Sequence, residues 1–192
     1  LPVFGKKEKF LEKKAKRDIG VHKFYKDSVY RKGIKISDIR RLQKGGFVAF
    51  TVIRNPWNRL VSCYEDKINV VNRKGRKCIM PSIGFGASFE DFISFVCRTP
   101  DSSDLADVHW ISQTQFVTDQ NGRLIPDVVI HIEELSSELV ELFGSLGYED
   151  LELSHYGRSL RKAGYQQYYT PRTRRKVAKR FAEDIRLFGY EF

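Results

Sequence analysis

The sequence predicts an α/β protein whose sheet is mostly parallel. Two apolar, β-rich runs, "FVAFTVI" (47–53) and "PDVVIHIE" (126–133), are each followed by a segment with apolar residues at helical spacing. Strands that alternate with helices pair in parallel, because each crossover helix carries the chain back to the same end of the sheet. The 192 residues fit a single domain, 1–192, long enough to bury a sizeable core. Because the first residue is Leu rather than Met, that domain is expected to be incomplete at its N-terminus.

Taken in order, residues 6–19, "KKEKFLEKKAKRDI", combine many charges with few apolar positions, the pattern of a solvated helix. Residues 21–46 are mixed, with Gly33 and Gly45-Gly46 as breakers. The continuous run 47–53 predicts a strand buried on both faces. A helix follows from Pro56: Asn55 suits its N-cap and Pro56 its first position. Trp57, Leu60, Val61, Tyr64, Ile68 and Val71 form its apolar stripe. Residues 72–87 read as an irregular loop, after which Ser88 and Asp91 form a capping box ahead of Phe92, Ile93 and Val96. Beyond the second strand, Leu135, Leu139, Leu142, Phe143 and Leu146 line a helix stopped at Gly147. A last helix starts at Thr170-Pro171, buries Val177, Phe181, Ile185 and Phe188, and stops at Gly189.

Net charge is +10, from 34 Lys and Arg against 24 Asp and Glu, which favours anionic partners: nucleotides, nucleic acid, sulfated or phosphorylated glycans, or acidic membrane. The alternative is a domain whose surface is simply basic. A hydrophobic content of 41% excludes a disordered chain, and no apolar run reaches the ~18 residues of a membrane span. Cys63, Cys78 and Cys97 are odd in number and lack metal-ligand spacing, which argues against a disulfide framework and a zinc site. With no glycosylation sequon either, a reducing cytoplasm is expected.

The chemistry concentrates at "FTVIRNPWNRLVSCYEDK" (50–67). Arg54 falls at the carboxyl end of the first strand, where open α/β sheets bind ligands. The next helix is expected to point free N–H groups and a partial positive charge into the same crevice. Ser62 lies eight residues after Arg54, with Arg59 one turn before it. An arginine fork and a serine hydroxyl can converge on a phosphate. Otherwise Arg54 pairs with a nearby carboxylate and Ser62 is an ordinary helical serine.

"VIRNPWNRLVSCYEDK" resembles the 3′-phosphate-binding motif of carbohydrate sulfotransferases: Arg, any residue, Pro, two residues, Arg-Leu, any residue, Ser, then a Lys. The likeness continues in order. "SFEDFISFV" (88–96) is similar to the acidic-aromatic helix of the chondroitin and HNK-1 type enzymes, and His109-Trp110 to their His-Trp pair. "DVVIHIEEL" (127–135) resembles their strand ending in Glu-x-Leu, and "YYTPRTRRKVAKRFAEDIRLFGYEF" (168–192) their closing helix. The resemblance implies a P-loop-like three-layer sandwich around a mostly parallel sheet. It also implies 3′-phosphoadenosine 5′-phosphosulfate as donor, a carbohydrate or glycan hydroxyl as acceptor, and no metal. Arg54 and Ser62 would hold the donor's 3′-phosphate, Arg59 would brace the loop, and Lys67 would make at most a rim contact. Ser159, in "HYGRSLR" (155–161), occupies the place of a family loop over the nucleotide, unless that segment is a solvated basic loop.

Transfer to an alcohol needs a base, and histidine titrates in the right range. His22, which lies 32 residues before Arg54, matches the functional histidine that related enzymes, the heparan 2-O type included, carry ahead of the arginine motif. It is the expected general base, with a structural histidine as the alternative. His109 is expected to bind the acceptor, with Trp110 covering a sugar face or else anchoring a core edge. His131, inside a strand, reads as a satisfied core histidine, His155 stays undecided, and Glu133 at that strand's end can orient a polar group.

Two departures stand out. The family's phosphosulfate loop, something like Pro-Lys-Thr-Gly-Ser/Thr after a strand, is absent, and no Gly-Lys-Ser/Thr replaces it. Either the chain lacks that segment or it is a degenerate, inactive relative. The cysteines that follow His-Trp in some Golgi enzymes are also missing. That favours a bacterial-type cytoplasmic member over the lumenal domain of a Golgi enzyme. The rival reading is a basic nucleic-acid-binding module, for which "YQQYYTPRTRR" is the best feature; binding to nucleic acid is not expected here.

Overall fold

Strand β1 (Phe50–Ile53) and strand β2 (Val128–His131) lie parallel, with Phe50 opposite Val128 and Ile53 opposite His131. The computed structural model describes residues 35–69, 83, 86–148 and 164–192. The chain divides after Ile39 into two units, and the account below concerns the second, Arg40–Phe192, apart from the first turn of helix α1 (Ile36–Lys44). The proposed helix at 6–19, with Val71 and most of the 72–87 loop, lies outside the described residues.

Each helix boundary has a local cause. Helix α1 stops at Gly45-Gly46, and Gly46 takes the positive φ of 85° that a side chain would resist. Helix α2 (Pro56–Tyr64) begins on the Asn55 cap and continues into a π-helical turn, Glu65–Asn69, that carries Ile68 into the core. Helix α3 (Phe89–Arg98) starts on the Ser88–Asp91 capping box, with both reciprocal hydrogen bonds present. A short helix α4 (Thr114–Val117) precedes β2, and α5 (Leu135–Ser145) follows it after a 3₁₀ turn. The expected closing helix is two helices: α6 (Pro171–Arg180) and α7 (Ala182–Phe188). They meet at Phe181, whose φ of −111° and ψ of 27° break the helical ladder and turn its ring into the core.

The main core is built by α2, α3 and α6 around Trp57, Leu60, Cys63, Ile68, Phe92, Ile93, Val96, Trp110, Val177 and Phe181. A smaller cluster of Ile53, Val117 and Phe188 ties the end of β1 to α4 and α7. The expectation that β1 is buried on both faces fails. Phe50 and Val52 are 45% and 42% exposed, and only Ile53 is buried. Burial on two faces needs a packed layer against each. Here β1 has β2 as its hydrogen-bonded neighbour among the described residues, and Phe143 of α5 meets the Phe50 ring edge-on at 6.3 Å. The first half of the strand therefore stays partly open.

A partly buried ion pair, Arg180–Asp101, joins α6 to the loop after α3. Arg180 also donates to Ser112 Oγ at 3.1 Å and to the Thr99 carbonyl at 3.3 Å. Burial would raise the Asp101 carboxyl. The hydrogen bonds from Arg180 and Ser112 outweigh it, and the group ends below the usual carboxylate range. Because its folded pKa is depressed, its stabilisation is complete above the ordinary aspartate range, declines from there as pH falls, and is lost below the folded pKa. Arg180→Leu removes the counter-ion of the partly buried Asp101 and leaves it only its bonds from Ser112, which should cost about 2 kcal/mol and lower the melting temperature by ~4–8 °C. Thermal melts at pH 7 check this. In Asp101→Asn, stability should fall less between pH 5 and pH 3 than in the parent.

Candidate functional site

The ladder between β1 and β2 ends at Ile53 and His131, so Arg54 and Asn55 leave the sheet with their backbone groups unmatched by another strand. Side chains from distant segments supply the partners. Gln113 accepts the Arg54 N–H at 2.8 Å and donates to the Arg54 carbonyl at 2.8 Å. Glu133 accepts the Asn55 N–H at 3.0 Å and holds the Tyr190 hydroxyl at 3.4 Å with its other oxygen. Burial first, and the Glu133 charge second, push the Tyr190 phenol well above its ordinary pKa. The Asn55 carboxamide donates to the Glu191 carbonyl at 2.7 Å.

The expected free N–H groups at the start of α2 are not free. Pro56 has none, and the Asn55 side chain accepts from Trp57 and Asn58 at 3.1 and 3.3 Å. The Asn55 carbonyl takes Arg59 at 2.8 Å. Asparagine is a good N-cap because it occupies those donors, so an anion at this helix end has to be held by side chains and by the helix dipole. The Arg54 guanidinium donates to Asn58 Oδ1 at 3.1 Å and so lies along the helix face that carries Asn58. Ser62, four residues further on, shares that face. Its hydroxyl is half-buried and makes no hydrogen bond to another described residue.

Arg59 points elsewhere. Its guanidinium forks onto the carbonyls of Ile111 and Val108, at 2.5 and 2.9 Å, and so braces the loop that carries His109 and Trp110. Burial lowers its pKa, opposed by the charge of Asp184. Lys67 is paired with Asp66 at 2.8 Å and its side chain is only 13% exposed, so it does not stand at a rim.

In that loop, Asp107 accepts the His109 N–H at 2.8 Å and the ring Nδ1 closely with the same oxygen. Burial works against the Asp107 charge, but these contacts hold its carboxyl below the usual range. With Nδ1 donating, the half-exposed ring presents Nε2 as its acceptor. Trp110 is 1% exposed, packed edge-on against Phe95 with its indole N–H unpartnered among the described residues. It anchors the core and offers no face to a sugar. His131 is satisfied on both sides, by Glu138 at 3.1 Å and the Phe188 carbonyl at 3.3 Å. His22, His155 and Ser159 lie outside the described residues.

The sequence reading missed Gln113 and its support. Ser112, Gln113 and Thr114 are three consecutive polar residues, all buried. The Gln113 and Thr114 N–H groups donate to Asp184, at 2.8 and 3.0 Å, and Asp184 is fully buried. A sequence signal was at best faint, a polar run in which nothing marks which side chains turn inward.

The site is thus a strand-to-helix turn held by Gln113 and Glu133, with the Arg54 guanidinium on Asn58, one helical turn before Ser62. No group of His, Cys, Asp or Glu that could hold a metal occurs among the described residues. Among them, too, no helix is long and apolar enough to cross a membrane. The chain matches the sulfotransferase family over residues 3–191, nearly its whole length, and it belongs to that family. Comparison with curated proteins and with solved structures returned no match.

Cys63 lies in the second turn of α2, and burial pushes its thiol up to about 12, with Asp107 adding to the shift; burial raises Cys97 to about 11. Thiolate is the reactive form. Brief treatment with iodoacetamide at pH 8, followed by peptide mass mapping, should leave both cysteines unmodified in the folded protein and label both in guanidinium chloride.

Proposed function

We propose that this sulfotransferase moves a sulfuryl group from 3′-phosphoadenosine 5′-phosphosulfate onto a hydroxyl of a carbohydrate acceptor. The observation that carries the reading is the hydrogen bond from the Arg54 guanidinium to Asn58, one turn before Ser62 on α2, at the carboxyl end of a parallel strand. With the helix-end amides already occupied, a guanidinium and a hydroxyl on one face are the donors that a phosphate dianion can use. Family membership and the motif around these residues both point to a nucleotide donor. In this reading Arg54 and Ser62 take the donor's 3′-phosphate, and Ser159 covers the nucleotide.

The acceptor oxygen attacks sulfur, the bond from sulfur to the phosphate oxygen breaks, and 3′-phosphoadenosine 5′-phosphate leaves. The acceptor proton goes to a base, which we assign to His22. By analogy with phosphoryl transfer, the transition state is loose, so holding donor and acceptor in line matters more than nucleophile strength. His109, oriented by Asp107, suits a hydrogen bond to the acceptor hydroxyl, with Nε2 accepting. Family membership supports the enzyme class.

Calorimetric titration with 3′-phosphoadenosine 5′-phosphate should show binding to the parent chain. Arg54→Ala should weaken it by about 1.5–3 kcal/mol, or about tenfold to a hundredfold. Equal affinity for the variant would remove Arg54 from the site. Submicromolar, steeply salt-dependent RNA binding in place of nucleotide binding would favour a nucleic-acid module. In chain that turns over, His22→Ala should lower the rate about 10²–10⁴-fold with donor affinity kept. A near-parent rate would move the base elsewhere, His109 first.

A further inference from the structure

We propose that Gln113 is a positioning residue for the anion site: its carboxamide, on a backbone that Asp184 holds by the Gln113 N–H, fixes the Arg54 backbone and so the direction in which the guanidinium leaves the strand. The inference rests on the donor reading above.

The argument starts from what the end of β1 needs. Beyond Ile53 no strand residue among the described ones faces Arg54, and both of its backbone polar groups are satisfied, at 2.8 Å each, by one side chain 59 residues away. A primary carboxamide has the donor and acceptor pattern of a peptide unit on a single rigid plane. Gripping the N–H and the carbonyl of the same residue restrains φ and ψ together, and the Cα–Cβ direction follows. The grip is itself anchored. Gln113 is 7% exposed, and its own N–H donates to Asp184 Oδ2 at 2.8 Å. Thr114 donates to the other oxygen at 3.0 Å. A carboxylate that takes two main-chain N–H bonds in a buried setting is a stiff fixture. On the far side, Arg59 of α2 holds the Val108 and Ile111 carbonyls of the same loop. The strand end and the first turns of α2 are therefore registered against a single loop.

Side-chain alternatives show why glutamine is needed. Glutamate keeps an acceptor for the Arg54 N–H but sets a carboxylate oxygen against the Arg54 carbonyl. Leucine fills the volume and makes neither bond. Protonated glutamic acid restores the missing donor. Its pKa in this position should be raised by burial and by the nearby Asp184 carboxylate.

The test is calorimetry with 3′-phosphoadenosine 5′-phosphate on the parent, Gln113→Leu and Gln113→Glu between pH 7.5 and pH 5.5, with melting temperatures alongside. At pH 7.5 both variants should bind at least about tenfold more weakly. As pH falls, the parent should lose affinity, because the 3′-phosphate takes up its second proton near pH ~6. Gln113→Glu should move the opposite way, closing the gap to the parent, while Gln113→Leu should not. A role confined to closing the strand end would lower melting temperatures and leave nucleotide affinity within twofold at every pH; that result overturns the inference while leaving the donor reading intact. Absence of binding by the parent overturns the donor reading and this inference with it. If Gln113→Leu does not fold, the pH response of Gln113→Glu decides alone.

Discussion

Gln113 and Glu133 grip two successive peptide units, those of Arg54 and Asn55, and the rest of the architecture is arranged to let them. The chain has to stop being a strand and start being a helix within two residues, and at such a corner backbone groups lose one partner before gaining the next. Ordinary turns leave those groups to water. Here the corner lies against α4, β2 and the α7 end, so the partners must come from protein. Asp184 can serve Gln113 because Phe181 breaks the last helix and redirects α7. Glu133 reaches Asn55 because β2 runs parallel to β1 and ends beside it.

The same corner settles how charge is distributed. The net charge of +10 invites a picture in which cations crowd an anion site. Most of the cations near this corner are engaged by the protein instead. Arg59 is forked onto two carbonyls, Arg180 is paired with Asp101, and Arg174 lies 4.3 Å from the centre of the Phe192 ring. An internal role for arginine is common where planar, multi-bond geometry is wanted. Both arginines of the motif are engaged too: Arg54 donates to Asn58 on α2, and Arg59 turns to the carbonyls of Val108 and Ile111.

Much of the frame was legible because its causes are local. Asn55-Pro56, the Ser88–Asp91 box, Thr170-Pro171 and the left-handed Gly189 each act within a few residues, so a reader of the sequence meets cause and effect together. The helix at Ile36–Lys44 was overlooked because its apolar positions are sparse. The exposure of Phe50 and Val52 could not be read from an apolar run, since burial depends on what packs above and below the sheet. Gln113 and Asp184 were illegible for a related reason. Their partners lie 59 and 71 residues away, and a buried glutamine looks like any other until the pairing is known. For Trp110 the sequence left a sugar platform and a core anchor both open, and its burial decides for the core.

The Asn55 carboxamide reaches across 136 residues to the carbonyl of Glu191, while Phe192 closes on Trp57 at 5.5 Å between ring centres. Protein synthesis is directional, so the corner's own residues leave the ribosome long before the groups that secure it. During that interval β1 can form and α2 can coil, but the corner between them has no fixed geometry. Domains dominated by such distant pairings fold slowly, since chain entropy is lost before the contacts repay it. A nascent chain of this sequence therefore secures its arginine-bearing corner only after residues 184–191 have been added.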